Sequence, residues 1–181
     1  MEGVGGCCLA AASQGFIFAS SCAAQMPISP YGVQKRACEY YLGALLPHNS
    51  MALRFFNIYG PGQSMAYAGV VKKFLDARAA GAPLTIFGTG HQVRCYVHVG
   101  DVVRAIIAAL ETEDTGVVDI ADPEFISVEQ IAGAVGGPVK YADALPDEMA
   151  TVQVDIQPTR EMLRWEPQIK LLDWIKKEQA K

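Results

Sequence analysis

Phe16-Ile-Phe-Ala-Ser-Ser21, followed after a short join by Ser29-Pro-Tyr-Gly-Val-Gln-Lys35, is the stretch on which the fold turns. Phe16 to Ala19 is a brief apolar run without polar alternation, the pattern of a strand covered on both faces. Ser29-Pro30 supplies an N-cap followed by proline at the first helical position, and apolar residues recur at helical spacing to Leu46. Pro47 ends that helix. A covered strand that feeds a helix is the building unit of α/β layer folds.

Outward from this unit the alternation continues. Met51 to Phe56 reads as a second buried strand, and Gly60-Pro61-Gly62 marks the loop after it. Tyr67 to Ala80 is predicted as a helix with Val70, Val71, Phe74 and Leu75 on one face, Lys72, Lys73 and Asp76 on the other, and Gly81 as its stop. Short strands are predicted at Leu84 to Phe87, Arg94 to Val99 and Val117 to Ile120. Helices are predicted at Val102 to Leu110, Val128 to Val135, Thr159 to Trp165 and Leu171 to Lys181, with Trp165 and Trp174 as packing residues of the C-terminal lobe. Upstream, Gly5 to Ser13 reads as the helix before the serine strand. The change of rhythm near Pro61 to Ala66 divides the chain into a sheet region, 1–62, and a smaller α+β lobe, 63–181.

Composition bounds the function. The 181 residues are 51% hydrophobic and 19% charged, which excludes a disordered or collagen-like chain. Fifteen Lys and Arg against nineteen Asp and Glu give a net charge of -4, and a chain without clustered cations is not built for nonspecific nucleic-acid binding. No apolar stretch approaches the roughly 20 residues of a membrane span, so the chain reads as a cytoplasmic protein with no membrane partner. Cysteines 7, 8, 22, 38 and 95 form no Cys-x-x-Cys pair and read as reduced, packed thiols. His48, His91 and His98 are scattered, so no metal site is expected.

Tyr31 and Lys35 are candidates for chemistry, four apart at a helix start and so on one face, although a Tyr and a Lys at this spacing also occur by chance in many helices. An ammonium beside a phenol favours the phenolate, which lets a tyrosine act as general acid/base. Ser20-Ser21 stands at the end of the first strand, where ligands gather in open α/β sheets. Ser21 can share a proton with the phenol or hold a substrate hydroxyl; the bland alternative is a strand-end hydroxyl bonded to local backbone.

Five motifs in order resemble the extended short-chain dehydrogenase/reductase family, in particular its NAD-dependent nucleotide-sugar epimerases and dehydratases of the UDP-glucose 4-epimerase type. To the two stretches quoted above are added Leu53-Arg-Phe-Phe-Asn-Ile-Tyr-Gly-Pro-Gly62, Leu84-Thr-Ile-Phe-Gly-Thr-Gly90 and Val93-Arg-Cys-Tyr-Val-His-Val-Gly-Asp101. The resemblance implies a partial Rossmann-like, doubly wound sheet with a smaller substrate lobe. It implies Ser21, Tyr31 and Lys35 as the catalytic trio, with Tyr31 and Lys35 also meeting NAD. Asn57, Thr85, Phe87 and Arg94 match positions that bind the nucleotide sugar. In the family, hydride leaves a sugar carbon for NAD, the keto sugar turns, and hydride returns to its other face. A homodimer is the assembly the resemblance implies.

The chain departs from the family pattern before Phe16, where the strand and glycine-rich turn that meet the pyrophosphate are not found; Gly3-Val-Gly-Gly6 has only two residues ahead of it. The join from Cys22 to Met26 is short, Cys95 stands where an acidic residue is expected, and Leu145 falls near the place of a second diphosphate arginine. Two readings stay open: an epimerase or dehydratase whose N-terminal half is missing from this sequence, and a sugar-nucleotide-binding remnant without redox chemistry.

Overall fold

The computed structural model describes residues 15–45, 49–64, 68–144 and 152–179. The predicted helix at Gly5 to Ser13, Pro47, Tyr67 and Leu145 lie outside the described residues. Two compact units share the chain: one takes the described residues up to Phe56, Gly100–Ala121 and Val152–Glu166, and the other takes Asn57–Val99, the described residues from Asp122 to Ala144, and those from Pro167 onward.

The first unit is built on a parallel sheet of β1 (Phe16–Ser21), β2 (Ser50–Phe55) and β7 (Gly116–Ile120), in the order β1-β2-β7. β2 is the middle strand, and its apolar run Met51, Ala52 and Leu53 is fully buried. β1 differs from the expectation of cover on both faces: Phe16 to Phe18 are half-buried and Ala19 is exposed, and among the described strands β1 pairs with β2 alone. Helix α1 (Pro30–Leu45) starts as predicted, with the Ser29 hydroxyl accepting from the Gly32 N–H at 3.1 Å. Leu42 then packs on Ala52, with Phe16 and Phe18 against them.

Arg94 to Val99, predicted as one strand, is two. β5 (Val93–Arg94) pairs antiparallel with β8 (Ile126–Ser127), whereas β6 (Tyr96–His98) pairs parallel with β3 (Asn57–Tyr59). One run of chain serves two ladders and breaks at Cys95 between them. Val99 then opens helix α3 (Val99–Glu111), where buried Asp101 pairs with Arg104 and accepts the Trp165 indole N–H on its carbonyl at 2.9 Å. Trp165 is thus a packing residue of the first unit, just past helix α5 (Gln157–Leu163), which Arg164 ends in the left-handed region at φ 49°.

In the second unit, β4 (Leu84–Phe87) pairs parallel with β9 (Val139–Ala142), beside helices α2 (Val70–Ala79), α4 (Val128–Val135) and α6 (Leu171–Gln179). Phe74, Leu84, Ile86, Ile131 and Ile175 are part of one buried cluster. Each fully buried aliphatic of this kind contributes roughly 1.5–3 kcal/mol. Gly81, at φ 67°, closes α2 in a Schellman turn, with its own N–H on the Arg78 carbonyl and the Ala82 N–H on that of Ala77. A reciprocal Ser127–Gln130 capping box starts α4.

A polar row crosses the first unit's sheet inside this apolar setting. Ser20, Arg54 and Asp119 are register partners on β1, β2 and β7. Buried Glu39 of α1 meets the row: Arg54 donates Nε to one carboxylate oxygen at 2.8 Å and Nη2 to the other at 2.7 Å, and Ser20 donates at 2.6 Å. Burial pushes the Glu39 carboxyl up, but the hydrogen bonds from Arg54 and Ser20 and the charges of Arg54 and Arg36 outweigh it and leave the group below the ordinary carboxylate range. Asp119 is held above that range, because burial outweighs its hydrogen bonds from the Asp155 N–H and Gln25.

Arg54→Met strands Glu39 without its main partner, so unfolding by urea should show a loss of about 3–5 kcal/mol. In the parent protein a lowered Glu39 contributes stability that is present above its unfolded pKa of about 4.3 and lost as pH falls through the folded value. Asp119 acts in the opposite sense, so the informative quantity is the difference between parent and variant. That difference should shrink as the solution is acidified, and a pH-independent difference would contradict the assignment.

Candidate active site

The end of β1 and the first turns of α1 are joined by a single ammonium. Lys35 Nζ donates to the Ala19 carbonyl at 2.7 Å and stands 4.9 Å from the Phe18 ring centroid and 5.6 Å from that of Tyr31. A cation at these distances is attracted to both ring faces. The structure therefore brings Tyr31 and Lys35 together, with the Tyr31 ring half exposed. Ser21 lies at the same strand end; it caps the 3-10 turn Cys22–Ala24, its hydroxyl accepting from the Ala23 N–H at 3.3 Å. Ser20, its neighbour, is turned inward to Glu39.

Glu39, Arg54 and Asp119 were not singled out from the sequence, yet they fix the frame around this strand end. The signal was present: Arg54 interrupts the apolar run Met51 to Phe56, and Glu39 lies three residues before Leu42 on the buried face of α1. Opposite charges inside two otherwise apolar faces point to each other.

The second unit supplies two adjoining pockets. Asn57 and Arg94 line one of about 170 Å³ together with Tyr96. The Asn57 amide donates to the Cys95 carbonyl at 2.8 Å, and Arg94 donates Nη1 to its neighbour's carbonyl, that of Val93, at 2.8 Å. Burial pushes the Tyr96 phenol up to about 12 against the pull of Arg94, so it is a protonated donor near neutrality. Thr85, Phe87 and Lys73 line the other, of about 500 Å³. Gly69, Val70, Gln92 and Val128 wall both pockets. The four residues matched to nucleotide-sugar positions thus converge, in pairs, on neighbouring cavities.

Among the described residues no group of three or more His, Cys, Asp or Glu is arranged to hold a metal, and no helix is long and apolar enough to cross a membrane.

Residues 4–121 match the model of the NAD dependent epimerase/dehydratase family. An uncharacterized UDP-glucose epimerase of Bacillus subtilis is 32% identical over 85% of this chain and 52% of its own length. UDP-glucuronic acid decarboxylase 1 of Xenopus tropicalis is 27% identical over 83% of this chain and 39% of its own. The chain therefore spans about two fifths to one half of these relatives. Among solved structures, the UDP-glucose 4-epimerase of Thermotoga maritima with UDP-glucose superposes with a TM-score of 0.81 at 30% identity, covering 93% of this chain and 65% of that one. MoeE5 in complex with UDP-glucose and NAD gives 0.84 at 26% identity, covering 94% and 65%. The architecture is accordingly the Rossmann-like α/β fold of these neighbours.

The family is NAD-dependent. Tyr31 and Lys35 present on one helix face a phenol and an ammonium, donors that a ribose hydroxyl can accept. The sequence contains no Gly-x-Gly-x-x-Gly stretch, so the described residues hold no such turn for the pyrophosphate.

Gly32, between Tyr31 and Lys35, is where α1 touches the 3-10 turn. A Cβ built there would stand 2.6 Å from the Ala23 carbonyl oxygen and 3.2 Å from Pro27 Cα, both backbone atoms. Gly32→Ala should lower the thermal midpoint, the clash costing about 1–3 kcal/mol against a helix-propensity gain of about 1 kcal/mol. An unchanged or raised midpoint would show that the helix start is free to move.

Proposed function

Because the chain belongs to the NAD-dependent epimerase/dehydratase family, we propose that it is the catalytic and substrate-binding portion of a nucleotide-sugar epimerase of the UDP-glucose 4-epimerase type. The first unit supplies the chemistry through Ser21, Tyr31 and Lys35. The second supplies the nucleotide grip through Asn57, Thr85, Phe87 and Arg94. What carries this reading is the convergence of those four residues, from three separate strands, on two pockets that share a wall.

The division of labour follows from residue chemistry. Arg94 offers planar donors to diphosphate oxygens, and Asn57 adds an amide. Phe87 presents an exposed ring for a base. NAD, when bound, accepts and returns the hydride. Tyr31 takes the sugar hydroxyl proton at Oη and gives it back, Lys35 favours the phenolate during that exchange, and Ser21 holds the hydroxyl being deprotonated. The protein works as a homodimer, supported by the exposed Tyr40, Tyr41 and Leu45 on α1; a sedimentation mass of one chain would remove that assembly.

A second reading, nucleotide-sugar decarboxylation, is favoured by one observation: several relatives bear that name, among them UDP-glucuronic acid decarboxylase 3 of Arabidopsis thaliana, 32% identical over 67% of this chain. A dehydratase and a binding remnant without redox chemistry complete the alternatives.

Calorimetric titration with UDP-glucose and with NAD separates them. Saturable UDP-glucose binding is expected, weakened about 10- to 100-fold in Arg94→Ala, as for a lost hydrogen bond to a charged group. In a complete chain, Tyr31→Phe should abolish epimer formation while leaving UDP-glucose affinity in place. Carbon dioxide release from UDP-glucuronate would favour the decarboxylase; UDP-glucose binding without NAD binding would assign the redox chemistry to a longer parent chain, and would favour the remnant only if a chain that carries the glycine-rich turn also fails to bind NAD. Turnover retained in Tyr31→Phe would remove Tyr31 from its role.

A further inference from the structure

We propose that Gln92 is a positioning residue: its amide, bonded to the Phe87 carbonyl, holds the Phe87 ring in the attitude that receives a nucleotide base at the larger pocket. The inference rests on the nucleotide-sugar reading above and deepens it.

Phe87 ends β4 with its ring 41% exposed, at a strand end where the ladder to β9 stops and a turn begins. Two residues of that turn, Gly88 and Gly90, are in the left-handed region at φ 67° and 80°. Glycine carries no Cβ to narrow its own backbone choices, so a turn of this kind takes its shape from what is bonded to it. Backbone bonds anchor the turn from outside: Gly88 N–H to the Ala142 carbonyl at 2.9 Å, Glu129 N–H to that of Gly90 at 3.0 Å, and Val128 N–H to that of Gln92 at 3.3 Å.

None of those three reaches the Phe87 carbonyl. Gln92 does, donating Nε2 at 2.9 Å across the turn. The Gly88 N–H, the other edge of the same Phe87–Gly88 peptide, is held on Ala142; Gln92 holds the carbonyl edge, so the two bonds together fix the plane beside the residue from which the ring projects. Gln92 also walls both pockets. The side chain that closes the turn is therefore within the same cavities as Phe87 and Arg94, without being charged or aromatic itself. Its contribution to a ligand passes through Phe87.

That dependence is measurable as coupling, because residues that act through one another are non-additive and independent ones add. UDP is the probe, titrated by calorimetry into the parent chain and into Gln92→Ala, Phe87→Ala, Arg94→Ala and the two double variants that contain Gln92→Ala. Gln92→Ala should weaken UDP about three- to tenfold, the range of one neutral hydrogen bond. Added to Phe87→Ala it should weaken UDP no further, while added to Arg94→Ala it should exact its full factor. Gln92→Met, which keeps the approximate size of the side chain but removes the donor without adding charge, should match Gln92→Ala, and it serves in its place if the alanine variant loses its thermal midpoint.

Unchanged UDP affinity in Gln92→Ala or Gln92→Met would overturn the assignment, and so would full additivity with Phe87→Ala. Equal coupling to Phe87 and Arg94 would make Gln92 an ordinary scaffold residue, also against it. Failure of the parent chain to bind UDP would instead remove the nucleotide-sugar reading itself, and this inference with it.

Discussion

The Arg54–Glu39 pair is the constraint around which the first unit is arranged. Two opposite charges taken out of water cost several kcal/mol each unless their hydrogen-bonding capacity is nearly filled. Here it is: Glu39 accepts from Arg54 through both oxygens and from Ser20, and Arg54 lies 3.9 Å from Asp119. The set joins β1, β2, β7 and α1, so none of these elements can slide along another without exposing a charge to an apolar neighbour. Glu39 lies two helical turns beyond Tyr31, and Lys35 midway between them is bonded to Ala19. The depth at which the helix is seated thereby sets where its phenol and ammonium emerge.

The second unit is organised differently, around close approach. Gly60 has φ 131°, and a Cβ there would meet Val99 Cγ1 at 2.7 Å and His98 Nε2 at 3.1 Å. The rings of Tyr59, His98 and Trp174 meet edge-on or tilted, with centroids 5.2 to 5.7 Å apart, and the Tyr59 hydroxyl donates to the Ile169 carbonyl. Asn57 is therefore held three residues before a glycine that has no room to change. The pockets beside it inherit their shape from backbone that is fixed on several sides, in contrast to the charge-locked first unit.

Much of this was legible in residue order. The strand–helix unit Phe16 to Leu45, the buried run at Met51, and the Gly81 stop are each carried by local chemistry: apolar continuity, a Ser-Pro cap, a left-handed glycine. The Tyr31–Lys35 pairing follows from helical spacing alone. What escaped was set by partners distant in sequence. β3, β8 and β9 are two to four residues long and exist because of what they pair with, so no periodicity announces them. The break at Cys95 reflects two ladders claiming one run. The charge network escaped for a related reason: Arg54 inside an apolar run and Glu39 on an apolar helix face each signal a buried charge, but only the fold shows that they meet. Ser20 and Ser21 show the limit most closely: adjacent and identical, they are separated in role by the alternation of β1, which turns one toward Glu39 and leaves the other at the turn.

The chain enters and leaves the two units repeatedly, passing from one to the other at Phe56, Val99, Ala121 and Glu166 among other points. Neither unit is a continuous stretch of gene. A premature stop anywhere before Glu166 removes material from both, and no single continuous segment carries either unit whole. Divergence in such a protein proceeds by substitution in place: a lineage can retune the nucleotide grip or the acid/base helix residue by residue, but it cannot exchange one for a ready-made alternative.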